Sequence, residues 1–265
     1  MSRRTPTILA LAAILTFALG ACQGGNSSSS APALTDPKEI VTAALKSTEA
    51  AKSVHLALTL DGTVSVALPI AGGTATPVNL TGTTASADID FTKPAAKAVF
   101  AVPAMLGLAG EVIAIDGKTY LKTTITGPLY QESAASSAPL DPSTAGGVVT
   151  NLDALLSKEG VTLTKGDDVT CGSVQCYTVT TTLSPEILGT NASSSLGGLP
   201  VDLTGASLAL TIRVEKDLPN HLAGLDAVVT MKDGTKLSAG LTASKWDQPV
   251  TVTAPPAEQV KPAAS

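Results

Sequence analysis

Long stretches of this chain alternate apolar and polar residues one by one. In His55-Leu-Ala-Leu-Thr-Leu-Asp61 the side chains of Leu56, Leu58 and Leu60 share one side, because successive residues of an extended strand point to opposite faces. The pattern returns in Ala206–Val214, where Leu208, Leu210, Ile212 and Val214 oppose Ser207, Thr211 and Arg213. It recurs less cleanly at 84–91, 97–102, 112–125, 175–182, 222–231 and 236–246. Valine and threonine enrichment suits strands, and Asp116-Gly117 and Asp233-Gly234 mark tight hairpins between them. The spacing becomes helical in three places. Asp36, Pro37 and Glu39 read as a capped start to a helix carrying Ile40, Val41, Ala44, Leu45 and Thr48. Asp141-Pro142 opens a second helix through Val149, Leu152, Leu155 and Leu156 to Gly160, and Ser184-Pro185-Glu186 a shorter one. Many antiparallel strands with few helices between them indicate an α+β fold: one strongly curved sheet with helices on one face, a closed barrel or a sandwich being the alternatives.

The first 22 residues carry an address. Arg3 and Arg4 precede the apolar run Ile8–Leu19, and no acidic residue occurs before Asp36. A dozen apolar residues are too few to span a hydrocarbon core of roughly 30 Å, but they suit a secretory signal peptide over 1–21. The run ends in Leu19-Gly20-Ala21-Cys22, the pattern of a lipobox, in which the cysteine receives a diacylglyceryl group. Two acyl chains make a durable anchor where one is marginal. Cys22 is therefore the expected lipid attachment, placing the protein at the cell membrane on its extracytoplasmic face. Residues 22–35 read as lipidated cysteine plus flexible Gly/Ser tether, 36–253 as one folded domain and 254–265 as a disordered tail. Removing 1–21 takes away two arginines and no acid, moving the formal charge from −5 to −7. That balance argues against nucleic acid as a partner.

The other two cysteines, Cys171 and Cys176, flank a Gly-Ser turn between strand-like residues. In an oxidising compartment they are expected to form a disulfide. A metal site would need further ligands, and the two histidines, His55 and His221, lie far away in sequence. No cofactor is expected. No G-x-S-x-G elbow, H-E-x-x-H, P-loop or G-x-G-x-x-G is present, so no catalytic residue is assigned and a non-enzymatic role is expected. Instead, apolar residues occupy segments where polar turns are the default: Leu68-Pro-Ile-Ala-Gly-Gly and Pro103-Ala-Met-Leu-Gly-Leu-Ala-Gly110.

Four features together carry a family resemblance: the lipobox with its Ser-rich tether; Lys52-Ser53-Val54-His55 leading into the alternating strand; Asn220-His221-Leu222 leading into a hairpin; and Ala243-Ser244-Lys245-Trp246-Asp247-Gln248-Pro249-Val250-Thr251-Val252 followed by Pro255-Pro256. In order and spacing the chain resembles the LppX/LprAFG lipoproteins of actinobacterial envelopes. That resemblance implies a half-barrel similar in plan to LolA and LolB, with helices on the concave face of the sheet enclosing an apolar cavity. It also implies carriage of multiply acylated lipids or glycolipids within the envelope, with the membrane and a membrane transporter as further partners. The alternative is an envelope scaffold that modulates a membrane partner without carrying anything. On the carrier reading, Leu56, Leu58, Leu208, Leu210 and Ile212 line the cavity with Val149 and Leu152 of the helix, and Leu106 and Leu108 flank its mouth. The alternative for each of these is a closed, dry core.

Overall fold

A computed structural model describes residues 33–67, 75–134, 150–188 and 204–261, which form a single structural unit. Cys22, Val149 and the Leu68–Gly73 segment lie outside the described residues.

The first helix, α1 (Pro37–Ala50), begins as its sequence dictates. The Asp36 carboxylate accepts hydrogen bonds from the backbone N–H of Lys38 at 2.8 Å and Glu39 at 3.0 Å, satisfying two donors that a helix start leaves open. A second helix, α2, covers 150–156, and a third, α3, is the single turn Pro185–Leu188.

The strands are β1 (Ser53–Ala67), β2 (Ala75–Asn79), β3 (Thr83–Asp90), β4 (Ala95–Val102), β5 (Leu108–Ile115), β6 (Lys118–Thr123) and β7 (Gln131–Ala134). They continue with β8 (Thr164–Lys165), β9 (Val169–Cys171), β10 (Val174–Leu183), β11 (Ser207–Glu215), β12 (Leu222–Thr230) and β13 (Lys236–Ser244). All belong to one antiparallel, curved sheet in the order β7-β6-β5-β4-β3-β1-β13-β12-β11-β10-β8. The chain thus builds one wing, returns, and closes the centre by pairing its first strand with its last. β2 pairs with the far half of β1, and β9 with the start of β10. The switch in β1 occurs at Gly62, the last residue paired with β13 before Thr63 turns to β2. Its φ of +119° is one that side chains rarely adopt, and a Cβ there would collide with the Lys236 carbonyl oxygen. At the β5–β6 turn, Asp116 and Gly117 both have positive φ, 52° and 71°, as a two-residue hairpin requires.

α1 lies over β10, β11 and β12. Its Ile40, Val41, Ala44 and Leu45 pack with Leu155 and Leu156 of α2 and with the buried side chains of these strands to form the main core. A second, smaller core gathers Val54, Ile89, Ala96 and Ala243 with Leu56 and Trp246 around them.

A third core corrects the expectation of a disordered tail from 254 onward. Residues 254–261 are ordered, with a 3-10 turn at Ala257–Gln259. Tyr130 donates its N–H to Gln259 O at 2.8 Å, and its own carbonyl accepts from Lys261 N at 2.8 Å, so the tail forms a short parallel bridge. Val252 and Val260 then cover Ile113, Tyr120 and Tyr130. The composition of 254–261 resembles a linker; long-range pairing with Tyr130 is what orders it.

Candidate functional site

Antiparallel register sorts every strand residue onto one of two faces, since directly paired residues point the same way. Starting from Leu58 in β1, the pairings carry one face to Ala85 and Phe100 in β3 and β4, then to Gly110 and Thr123 in β5 and β6. In the other direction they carry it to Leu241, Leu225, Ile212 and Val179. From β10 to β7, among the described residues, not one charged side chain stands on this face. Its polar members are Thr83, Thr119, Thr123, Gln131, Ser133, Gln175 and Thr181. The paired strand charges stand on the opposite face: His55 with Asp88, Lys97 and Lys122 with Glu111, Lys118 with Glu132, and Arg213 with Asp226. There burial pushes the Glu111 carboxyl up. Hydrogen bonds from Lys97 and Tyr130 and the nearby lysine charges outweigh this and hold it below its ordinary value.

Depth varies along the charge-free face. Beneath α1, Leu208, Leu210 and Ile212 are 1%, 4% and 2% exposed; they form a filled core and cannot wall an open cavity. This corrects their expected role. The reason is the path of α1, whose apolar stripe seals that wing. Leu152 packs at the edge of the same core. Further along, Leu56, Leu58 and Leu60 of β1 are half-buried, as are Phe100, Leu121 and Leu241. Space for Phe100 is made by Gly110, where a Cβ would stand 2.6 Å from the ring. A broad aliphatic and aromatic surface is therefore held open to contact beside a sealed core.

The loop residues divide likewise. Leu108 is half-buried at the start of β5, and Leu106 sits at the turn tip, 101% exposed.

Strand pairing also creates neighbours that linear spacing conceals. His55 stands directly across from Asp88, Nδ1 to Oδ1 at 2.7 Å. His221 lies between Glu215 and Asp247, its ring nitrogens 3.8 and 3.7 Å from their oxygens and outside hydrogen-bond range. Burial pushes its pKa down, an effect that the charge of Asp247 opposes in part. His221 borders a cavity of about 950 Å³ on the polar face, lined also by Arg213, Trp246 and the Cys171–Cys176 hairpin. Among the described residues neither imidazole is hydrogen-bonded to a hydroxyl or thiol, and the Ser53 hydroxyl donates to Gln248 O instead. No group of histidine, cysteine, aspartate and glutamate side chains among them is arranged to hold a metal ion.

Cys171 and Cys176 are joined, with Cα atoms 6.0 Å apart. They are diagonal rather than directly opposed, since Cys171 pairs with Val174 and Cys176 with Val169. The bond fastens β9 to β10 where β10 would otherwise be an open edge. Among the described residues no helix is long and apolar enough to cross a membrane.

Comparison with known proteins places this geometry. The LppX_LprAFG lipoprotein family model matches residues 36–252. No curated protein sequence matches the chain. Among solved structures, LprF from Mycobacterium bovis is similar with a TM-score of 0.56 at 17% identity, over 84% of this chain and 98% of that one. LppX from Mycobacterium tuberculosis is similar with a TM-score of 0.51 at 20% identity, over 83% of this chain and all of that one. At such identities the likeness is one of fold: both share the sheet and its sparse helices.

Proposed function

The chain belongs to the LppX_LprAFG lipoprotein family, and from that premise we propose that it binds multiply acylated lipids or glycolipids against the charge-free face of its sheet and carries them within the cell envelope. The observation that carries this reading is the face itself. Aliphatic and aromatic side chains cover it across the ten neighbouring strands from β10 to β7 without one charge among the described residues, and the wing around Leu56, Leu58, Leu121 and Leu241 is half-buried rather than sealed.

The chemistry of carriage asks for little else. Moving an acyl chain through water costs about 0.8 kcal/mol for each exposed methylene, so a lipid with several chains needs an apolar surface to accompany it. The carrier needs no acid, base or metal. On this reading Cys22 is diacylated and holds the domain at the extracytoplasmic face of the cell membrane, beside the bilayer from which cargo is taken. The tether from Cys22 to Leu34 spans about 20 Å on average and reaches about 40 Å when extended.

The experiment is direct. The chain from position 22 onward, carrying Cys22→Ser to prevent acylation, is purified from a host that makes such lipids, extracted with organic solvent and analysed by mass spectrometry. Acyl lipid at close to one molecule per protein is the expected result. Protein that is empty after purification, and that stays empty when offered such lipids in detergent, overturns the reading.

A further inference from the structure

Two hairpin connections on the β4–β6 wing carry the largest exposed aliphatic side chains in that part of the molecule. In the 103–107 connection Leu106 is 101% exposed and Met105 42%; in the 124–130 connection Ile125 is 73% exposed and Leu129 38%. From Val102 to Gly110 and from Thr123 to Leu129 the sequence has no charged residue. Soluble proteins place scattered apolar residues on their surfaces routinely, but contiguous apolar patches mark contact sites.

Both connections are held in place. Met105 N–H donates to Val102 O at 3.0 Å, Gly107 N–H to Pro103 O at 3.0 Å and Leu108 N–H to Met105 O at 2.9 Å. Thr124 ties the second connection to the first and to β5: its hydroxyl donates to Gly107 O at 3.4 Å, its N–H donates to Ala109 O at 2.8 Å, and its hydroxyl oxygen accepts from Ala109 N at 3.2 Å. Thr123 and Thr126 brace the second turn through their hydroxyls. Met105, Leu106 and Ile125 therefore project from one rigid unit. Leu106 adopts φ +55°, a left-handed conformation that glycine or asparagine takes far more readily. A leucine kept fully exposed in that conformation contributes nothing visible to the fold.

We propose that these paired tips form a membrane-docking element that inserts into the boundary between lipid headgroups and acyl chains, independently of the acyl anchor. A bilayer fits better than a protein partner for two reasons. The exposed side chains of the tips include no tryptophan, tyrosine or arginine, the residues that dominate protein–protein hot spots, Tyr130 being buried. Their threonine hydroxyls are engaged internally, leaving aliphatic carbon as the contacting chemistry. With no lysine or arginine in either segment, attachment is hydrophobic rather than electrostatic. The tips also continue directly into the charge-free face, since Val102 pairs with Leu108 and, two residues on, Phe100 with Gly110. As the point where cargo enters, the element rests on the carrier reading above; as a docking surface it stands alone.

The test uses the chain from position 22 onward with Cys22→Ser, mixed with vesicles of neutral phosphatidylcholine. The protein is expected to float with the vesicles, and raising the salt to about 0.5 M should not release it, since screening weakens only charge attraction. Leu106→Asn with Ile125→Asn should reduce partitioning at least tenfold while leaving the melting temperature unchanged, asparagine being tolerant of the left-handed conformation. Ile125→Cys provides the only unpaired thiol, given Cys22→Ser and the joined Cys171 and Cys176. A polarity-sensitive dye attached there should shift to the blue on vesicle addition. No flotation, flotation equal in the double variant, or release by salt would each overturn the proposal. Flotation without co-purified lipid sinks the carrier reading and leaves the docking element standing; bound lipid without flotation does the reverse.

Discussion

The imidazole of His221 and the indole of Trp246 are stacked, with ring centroids 4.9 Å apart and planes 10° from parallel. The indole N–H donates to Leu222 O at 3.0 Å, so the pair pins the end of β13 to the start of β12. This contact sets a pH dependence. Burial lowers the pKa of His221 from its ordinary 6.5, so below that value the unfolded chain takes up a proton that the folded one resists. Stability is then lost as pH falls from about 6.5 toward the folded-state pKa. Burial and Asp217 raise Glu215 above its ordinary 4.5, which acts in the opposite sense. His221→Gln should therefore lose less melting temperature than the parent between pH 7 and about 5.5. Equal losses in thermal scans would refute the assignment.

Thr181 faces the sealed wing, opposite Leu210, and its buried hydroxyl has no hydrogen-bond partner. A buried polar group left unmatched costs roughly 1–3 kcal/mol. Valine has nearly the same shape and a strong preference for strands. Thr181→Val should raise stability by about 1 kcal/mol in urea denaturation; a lowered midpoint would mean that the hydroxyl is satisfied in solution.

What could be read from the sequence was what neighbouring residues decide. The Asp36 cap, the Asp116-Gly117 turn and the alternating faces of β1 and β11 all follow from contacts within a few positions. β1 runs on to Ala67 through Gly62, a residue that reads as a strand end until its second partner, β2, is seen. The pairing of His55 with Asp88 depends on register, and the ordering of 254–261 on Tyr130, more than a hundred residues earlier. The candidate site was legible to the same degree. Alternation identifies the apolar face of Leu58 and Leu210 alike, whereas the path of α1 decides which of them is sealed, and no local spacing encodes that path.

Ending the chain after Thr253 tests the ordered tail. It removes two backbone hydrogen bonds to Tyr130 and uncovers the side of Ile113 and Tyr130 that Val260 packs against. Together these contributions amount to about 2–3 kcal/mol. The truncated protein should unfold at a clearly lower denaturant concentration while keeping its circular dichroism spectrum. An unchanged midpoint would show that the tail adds nothing to the fold.

Leu58 and Leu210 separate the two roles of the charge-free face. Leu210 lies under α1 at 4% exposure, so Leu210→Gln buries an amide with nothing to pair it and should cost 3 kcal/mol or more, by the usual order of magnitude for such changes. Leu58 is half-buried on the same face. Water can reach a glutamine there, and Leu58→Gln should cost less than about 1.5 kcal/mol. If the open wing is where acyl chains lie, the mild substitution is the one that matters for cargo. Lipid recovered per protein should fall severalfold in Leu58→Gln while its melting curve stays close to the parent's. A folded Leu58→Gln protein with full lipid occupancy would move the site elsewhere on the molecule. Leu210→Gln serves as the contrast: any lipid it loses should track the fraction unfolded, because that leucine is covered by α1 before a ligand arrives.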